Sequence, residues 1–431
     1  MSVRLRTFWF PAVLSVAIVL SLSACGSNSS ATGTKSATFV FAAVAPFTGP
    51  DADFGTTAMA GCVPAAKLIN QAGGVLGHKV KCLPFDTRGD PADAVPAVRK
   101  LLATTPNLVA VVGPTSDDTS ATASIFNQAN IPFFPSTGQA IFNHNPYPYF
   151  YRLTPADDIA GYAMAIWAHQ RGYTRGAAVF GNDIGSQGTV PTLTRGFKKL
   201  GGTMVINVKI ALDQSSYRSE VERVASSHPQ VIFTEVDPQT AATFFSEFKQ
   251  LHGLLPVIGA DPTLDPTWFK TVANTIGARE LAKLFTAENP VGASRGPGWK
   301  LYETTLLASG AQVRDPGGYT SDGVAEARYN SANLVALAML AARSAKPPVF
   351  RSYIGKLTEP KPGAVRVYDF AAGKKALLAG KQVQYVGVGG PIIFDRWHNA
   401  PGKLEVDRFT PNAGVVKVSD VTAAEVTSIE K

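Results

Sequence analysis

Strand-length apolar runs and helix-length segments take turns along this chain, and that order constrains the fold more than any other feature. Residues 108–112, Leu-Val-Ala-Val-Val, form a continuous apolar run of the kind buried on both faces of a parallel sheet. β-rich runs at 38–44 and 78–85 precede it, and another follows at 131–134. Helical segments fill the gaps at 56–71, 91–104 and 118–130. Pro64 is the weak point of the first, and Pro91 opens the second as proline does in a first turn. This is βαβ spacing, which predicts a parallel sheet covered by helices. A second series follows residues 149–153, with strands at 177–180, 203–208, 231–234 and 256–259. Its helices are expected at 159–171, 189–200, 217–227 and 240–251. After Phe285 helices resume at 299–308, 323–342 and 349–356, and β-type runs at 384–388, 392–394 and 415–418 close the chain. Two α/β series within 431 residues predict two lobes.

The composition is globular, with 45% hydrophobic and 17% charged residues, which excludes a mostly disordered chain. The formal charge is +8, but the basic residues are scattered, and their densest group is only Lys374, Lys375 and Lys381. That argues against nucleic acid as a partner and suits an anionic membrane neighbourhood. No HExxH, GxSxG, CxxC or P-loop occurs, and the six histidines lie far apart. The stretch 181–188 lacks the GxGxxG spacing of a dinucleotide site. Neither an enzyme, nor a cofactor, nor a metal is expected.

Arg4 and Arg6 precede an uncharged, mostly apolar run at 8–24 that ends in Leu22-Ser23-Ala24-Cys25. This is the pattern of a signal peptide over 1–24, and its ending resembles a bacterial lipobox. That resemblance implies a lipid on Cys25, cleavage before it, and anchoring at the outer face of the cell membrane. The alternatives are an ordinary signal peptide with an incidental cysteine and a retained transmembrane helix. Residues 25–36 read as a Gly/Ser/Thr-rich tether. Loss of 1–24 removes Arg4 and Arg6 and no acid, leaving +6. Cys62 and Cys82 then remain in an oxidising compartment, on a helix and the strand after it, which suggests a disulfide. Two buried free thiols are the alternative.

Ligands of open α/β sheets bind outside the carboxyl ends of the strands. The candidate loops are 46–55 with Phe54, 113–118 with Ser116 and Asp117, and 135–139 with Ser136 and Thr137. The second series adds 182–188, 235–238 and 260–262. Hydroxyls and free N–H groups at a helix start suit a carboxylate, and an acid from the facing lobe suits an ammonium. Helix capping and turn formation are the competing roles for Ser116, Asp117, Asp118 and Asp261.

Several stretches carry a family resemblance. They are Ile69-Asn70-Gln71-Ala72-Gly73-Gly74-Val75-Leu76-Gly77-His78-Lys79-Val80, Asp86-Thr87-Arg88-Gly89-Asp90-Pro91 and Val112-Gly113-Pro114. Ile131-Pro132-Phe133-Phe134-Pro135-Ser136 and Gly390-Pro391-Ile392-Ile393-Phe394-Asp395 complete them. In this order they resemble the leucine/isoleucine/valine-binding family, the type I solute-binding proteins of ABC importers, over about 37–418. The resemblance implies two Rossmann-like lobes joined by three crossovers, near Leu153, Thr286 and Asp395. Lobe 1 would be 37–153 plus 287–395, and lobe 2 would be 154–286 plus 396–431. It implies a ligand carboxylate on Ser116, Asp117, Ser136 and Thr137, an ammonium on Asp261, and Phe54 against the side chain. This chain departs from the family at Ile184 and Val236, where amino-acid binders carry tyrosine. Asp117 also replaces a small hydroxyl residue and would repel a carboxylate. A more apolar or differently charged ligand fits at least as well as a branched-chain amino acid.

The expected function is a monomeric, lipid-anchored receptor that captures a small amino-acid-like or carboxylate solute by hinge closure and delivers it to an ABC permease. A ligand sensor for a membrane signalling partner is the second reading, and an extracytoplasmic enzyme a distant third.

Overall fold

The computed structural model describes residues 37–289, 296–400 and 404–430. The export signal, Cys25 and the whole tether fall outside the described residues. The chain begins β1 (Phe39–Ala45), α1 (Asp53–Gln71), β2 (Val80–Asp86), α2 (Pro91–Thr104), β3 (Leu108–Thr115), α3 (Ser116–Gln128) and β4 (Phe133–Ser136). These strands form one parallel sheet in the order β2-β1-β3-β4. Next come α4 (Asp157–Gln170), β5 (Arg175–Gly181), α5 (Ile184–Gly188), α6 (Val190–Lys199), β6 (Thr203–Ile210) and α7 (Arg218–Ser226). β7 (Val231–Glu235), α8 (Pro238–His252), β8 (Val257–Gly259), α9 (Pro266–Ile276), α10 (Ala278–Leu284) and β9 (Phe285–Asn289) follow. The third stretch holds α11 (Pro297–Leu307), α12 (Gly323–Ala342), α13 (Pro347–Lys356), β10 (Val365–Val367), α14 (Phe370–Leu378) and β11 (Val383–Tyr385). β12 (Leu404–Phe409), β13 (Val415–Val421) and α15 (Ala423–Glu430) end the chain.

The second sheet runs β13-β12-β9-β8-β7-β5-β6 and is parallel except at β12, which is antiparallel to both neighbours. β10 and β11 pair separately in parallel.

Alternation along the strands divides each core into two layers. On β1, Phe41 faces a cluster shared with α1 and the late helices, through Trp299, Tyr302 and Leu334. Val40, Ala42 and Val44 face the opposite layer with Val98 of α2 and Phe126 of α3. On β5, Ala177 and Val179 meet α7 to α9, while Ala178 and Phe180 meet α4, α6 and α15. Every residue of β3 is buried, as its unbroken apolar run requires. The helices of the third stretch thus cover the first sheet, and the chain changes sheet after β4, after β9 and before β12.

Local chemistry explains the main boundaries. Asp90 accepts from the Ala92 N–H at 2.7 Å and starts α2 ahead of Pro91. Asp322 accepts from the Ala325 N–H at 2.7 Å to start α12, and Arg343 in the left-handed region ends it. Gly61 lets α1 lie against α12, where a Cβ would stand 2.6 Å from that of Arg328. Cys62 and Cys82 form a disulfide, with Cα atoms 6.0 Å apart, that ties α1 to β2.

Two sequence readings need correction. Residues 392–394 form no strand: Pro391 lacks a ladder donor, Ile392 is buried, and Ile393 is exposed. The first helix starts at Asp53 rather than 56, and Pro64 is accommodated inside it. No helix among the described residues is long and apolar enough to cross a membrane.

Candidate functional site

The carboxyl ends of the parallel strands of both sheets meet around one cleft. Its walls come from the segments after β1 to β8 and from the last residues of β9. The cavity holds about 120 Å³. Phe54, Ser116, Asp117, Ser136, Val236 and Asp261 line it. Thr137 does not: it is fully buried, its Oγ accepts from the Gln139 N–H, and its carbonyl accepts from Arg152. Ile184 also lies outside the lining, half exposed, while its neighbour Gly185 reaches the cavity.

The wall is acidic. Nine of the lining side chains are carboxyls, and none of the lining residues is Lys, Arg or His. Several do structural duty through one oxygen. Asp183 accepts from Ser186 N–H at 2.7 Å and starts α5. Asp237 accepts from the Gln239 and Thr240 N–H groups at 2.9 and 3.0 Å and starts α8. Glu288 accepts from the Asp261 N–H at 3.0 Å, which fixes the loop after β8. Asp117 Oδ1 accepts from Gly185 N–H at 3.1 Å, joining a loop of the first sheet to one of the second.

Asp157 has the tightest seat. Its N–H donates to the Gly138 carbonyl at 2.7 Å. Its carboxylate occupies the space where side chains of Gly138 and Gly188 would be. Only glycines at these two positions leave it room.

Burial and mutual repulsion hold these carboxyls protonated at higher pH than usual. Burial, then Asp183 and its neighbours, lifts Asp51 to about 7. Burial, partly offset by Arg152, lifts Asp157 to about 7. Burial, then Asp183, lifts Asp117 to about 6. Glu235 and Asp261 are pushed well up, mainly by burial and then by the acids around them.

Two buried arginines lie behind the wall. Arg328 donates to Ser136 Oγ at 2.6 Å. Arg152 donates to the carbonyls of Thr137 and Gln139 and, at 2.6 Å, to Asn143 Oδ1. Among the described residues, no three His, Cys, Asp or Glu side chains converge to hold a metal ion.

Sequence reasoning reached the loops but missed most of the acids. Asp183, Glu235 and Asp237 sit inside loops it singled out, and each alone reads as a cap or a solvated loop residue. Asp157 opens a helix, and Glu288 ends a strand, where nothing local marks a site.

Two lobes with a solute cleft at their facing strand ends define a type I periplasmic binding protein, a solute-binding rather than an enzymatic fold. A profile of the periplasmic binding protein family matches residues 38–403, and the chain belongs to that family. An amino acid binding protein of Pseudomonas aeruginosa is 24% identical over 257 residues, 53% of this chain and 68% of the relative. The branched-chain amino acid transporter substrate binding protein LivJ from Streptococcus pneumoniae, solved with isoleucine, matches with a TM-score of 0.71 and 17% identity. That match covers 89% of this chain and 100% of LivJ. A solute binding protein from R. palustris, solved with benzoate, matches at TM-score 0.67 and 14% identity, covering 89% and 96%.

Proposed function

We propose that this chain is the receptor of an ABC importer, held at the outer face of the cell membrane by lipid on Cys25. It takes a small solute into the cleft and closes over it. Lobe 1 is 37–153 plus the chain from beyond β9 to 395, lobe 2 is 154–289 plus 396–431 because β9 pairs with β12 of the second sheet, and residues 25–36 are the tether. The observation that carries this reading is the cleft itself, walled by both sheets and bridged from Asp117 to Gly185. The solutes named for the relatives, amino acids and benzoate, support a ligand of that size. Ser116, Ser136, Asp261 and Phe54 line the cleft and contact the solute, while Thr137 supports its neighbour from behind.

The experiment is a binding screen of the full chain in detergent against a chemically mixed solute panel, with small-angle scattering before and after saturation. Binding with compaction is expected. Silence across the panel overturns the receptor reading. Radiolabelled palmitate incorporated by wild type and lost in Cys25→Ser tests the anchor.

A further inference from the structure

The relatives' printed ligands are zwitterions or anions, yet this cleft has no cationic side chain in its wall. Arg152 donates through its two terminal nitrogens to carbonyls and Asn143, its Nε is buried and unpartnered, and the residue does not line the cavity. Arg328 donates through one nitrogen to Ser136 Oγ and faces Asp322 electrostatically; its Nε and Nη1 are buried without hydrogen-bond partners, and the residue lies behind the lining rather than in it. A ligand carboxylate would enter among acids, with little beyond the hydroxyls of Ser116 and Ser136 to receive it.

The acids themselves lack partners. Glu288 is only 2% exposed, lines the cavity, and its Oε2 has no hydrogen-bond partner. Asp237 is 8% exposed, and its Oδ2 is unpartnered too, as is Asp157 Oδ2. Buried polar atoms left unpaired in a cavity wall are costly unless something fills the cavity and pairs them.

Their distribution gives the shape of what fills it. Asp51 is repelled by Asp183, Asp237 and Asp117. Glu235 is repelled by Asp157, Asp183, Asp261 and Glu288. The lining acids come from both sides of the cleft: Asp51, Asp53 and Asp117 follow strands of the first sheet, whereas Asp183, Glu235, Asp237, Asp261 and Glu288 follow or end strands of the second. They do not converge on a point as metal ligands would, at least among the described residues. Phe54, Val236 and Trp268 supply apolar wall. A cavity of about 120 Å³ has room for roughly ten non-hydrogen atoms.

We infer that the cleft takes a small organic cation with two separated positive groups and no carboxylate, a diamine or an amino-guanidine, held between the Asp51 and Glu288 groups of acids. The inference rests on the reading of the cleft as a solute site and names the class of solute. The raised proton affinities fit it, because protons stand in for the ligand when the cleft is empty. Binding then displaces those protons.

The test is isothermal titration of the full chain in detergent with putrescine, cadaverine and agmatine, against leucine, benzoate, sorbitol and calcium chloride. Dications are expected to bind in the micromolar range, to weaken at least tenfold between 50 and 500 mM salt as about two screened charges would, and to release protons in buffers of differing ionisation enthalpy. Glu288→Gln and Asp51→Asn should each weaken dication binding at least tenfold; dication affinity unchanged in both overturns the inference. Proton release is read on the unaltered protein, so a variant that fails to fold does not blunt the test. Binding of leucine, benzoate or sorbitol but of no dication overturns the cation and leaves the solute receptor standing. Calcium binding tighter than any dication also overturns it. Binding by nothing in this or the mixed panel overturns both readings.

Discussion

Asp117 and Gly185 meet across the cleft: the carboxylate at the start of α3 accepts the backbone N–H of α5 at 3.1 Å. One residue follows a strand of the first sheet and the other a strand of the second. Opening of the cleft by the proposed hinge motion would break this bond. A hydrogen bond to a charged group contributes about 1.5–3 kcal/mol. Asp117→Ala should therefore raise the solute Kd about tenfold or more and shift scattering toward the open form. Asp117→Asn keeps an acceptor oxygen and should fall between. An alanine variant with wild-type affinity and compaction would exclude the latch.

The cleft acids set a pH dependence with a definite sign. Asp51 and Asp157, at about 7, and Asp117, at about 6, keep protons in the folded state that the unfolded chain gives up near pH 4. Asp51 faces Asp183, Asp237, Asp117 and Asp118; Asp117 faces Asp183 and Asp118; Asp157 faces Asp158 and the cation Arg152. Between about pH 4 and pH 7 the folded protein binds more protons than the unfolded chain, so the unliganded protein loses stability as pH rises. Asp86, held low against burial by hydrogen bonds from Thr48, Phe47 and Arg88, acts in the opposite sense but only below that window. Calorimetry should give a higher Tm at pH 5 than at pH 7.5 without ligand. A Tm that climbs steadily to pH 7.5 would contradict the assignment.

The Cys62–Cys82 bridge closes a separation of 20 residues. A loop of that length stabilises by roughly 3 kcal/mol in the chain-entropy account. Cys62→Ala/Cys82→Ala should unfold several degrees lower than wild type, and a reducing agent should lower the wild-type Tm without affecting the double variant.

Gly61→Ala probes the contact of α1 with α12. The added methyl would press on the Ala325 carbonyl and stand 2.6 Å from Arg328 Cβ. Overpacking of this kind costs about 1–3 kcal/mol. The variant should lose that much in denaturant unfolding, whereas Gly172→Ala meets no neighbour and tests only the strain of its positive φ.

The layered fold is legible because the core strands are written in uninterrupted apolar residues. Leu108 to Val112 can belong to little else, and α12 coincides with its expected bounds of 323–342, where Asp322 starts it and Arg343 ends it. β12 is hidden because it carries Glu405 and Asp407, which are buried in the structure. Asn289 donates to Asp407 at 2.7 Å and Lys417 to Glu405 at 2.9 Å. Polar residues satisfied by distant partners look like loop from sequence alone. The acidity of the site is hidden for a related reason. Asp183 and Asp237 each explain themselves locally as helix caps. Only the meeting of loops from both sheets turns separate caps into one charged wall.

The order in which the sheets are covered has a consequence for synthesis. β1 to β4 leave the ribosome early, but Leu334 and Trp299, which seal one face of that sheet, lie far later in the chain. At about 5–20 residues per second the wait is on the order of 10–50 s. For that time Phe41 and Val109 have α1 but not the late helices as native cover. A nascent chain of this design needs an escort until α12 arrives, and a truncation before α11 should aggregate rather than yield a half-protein.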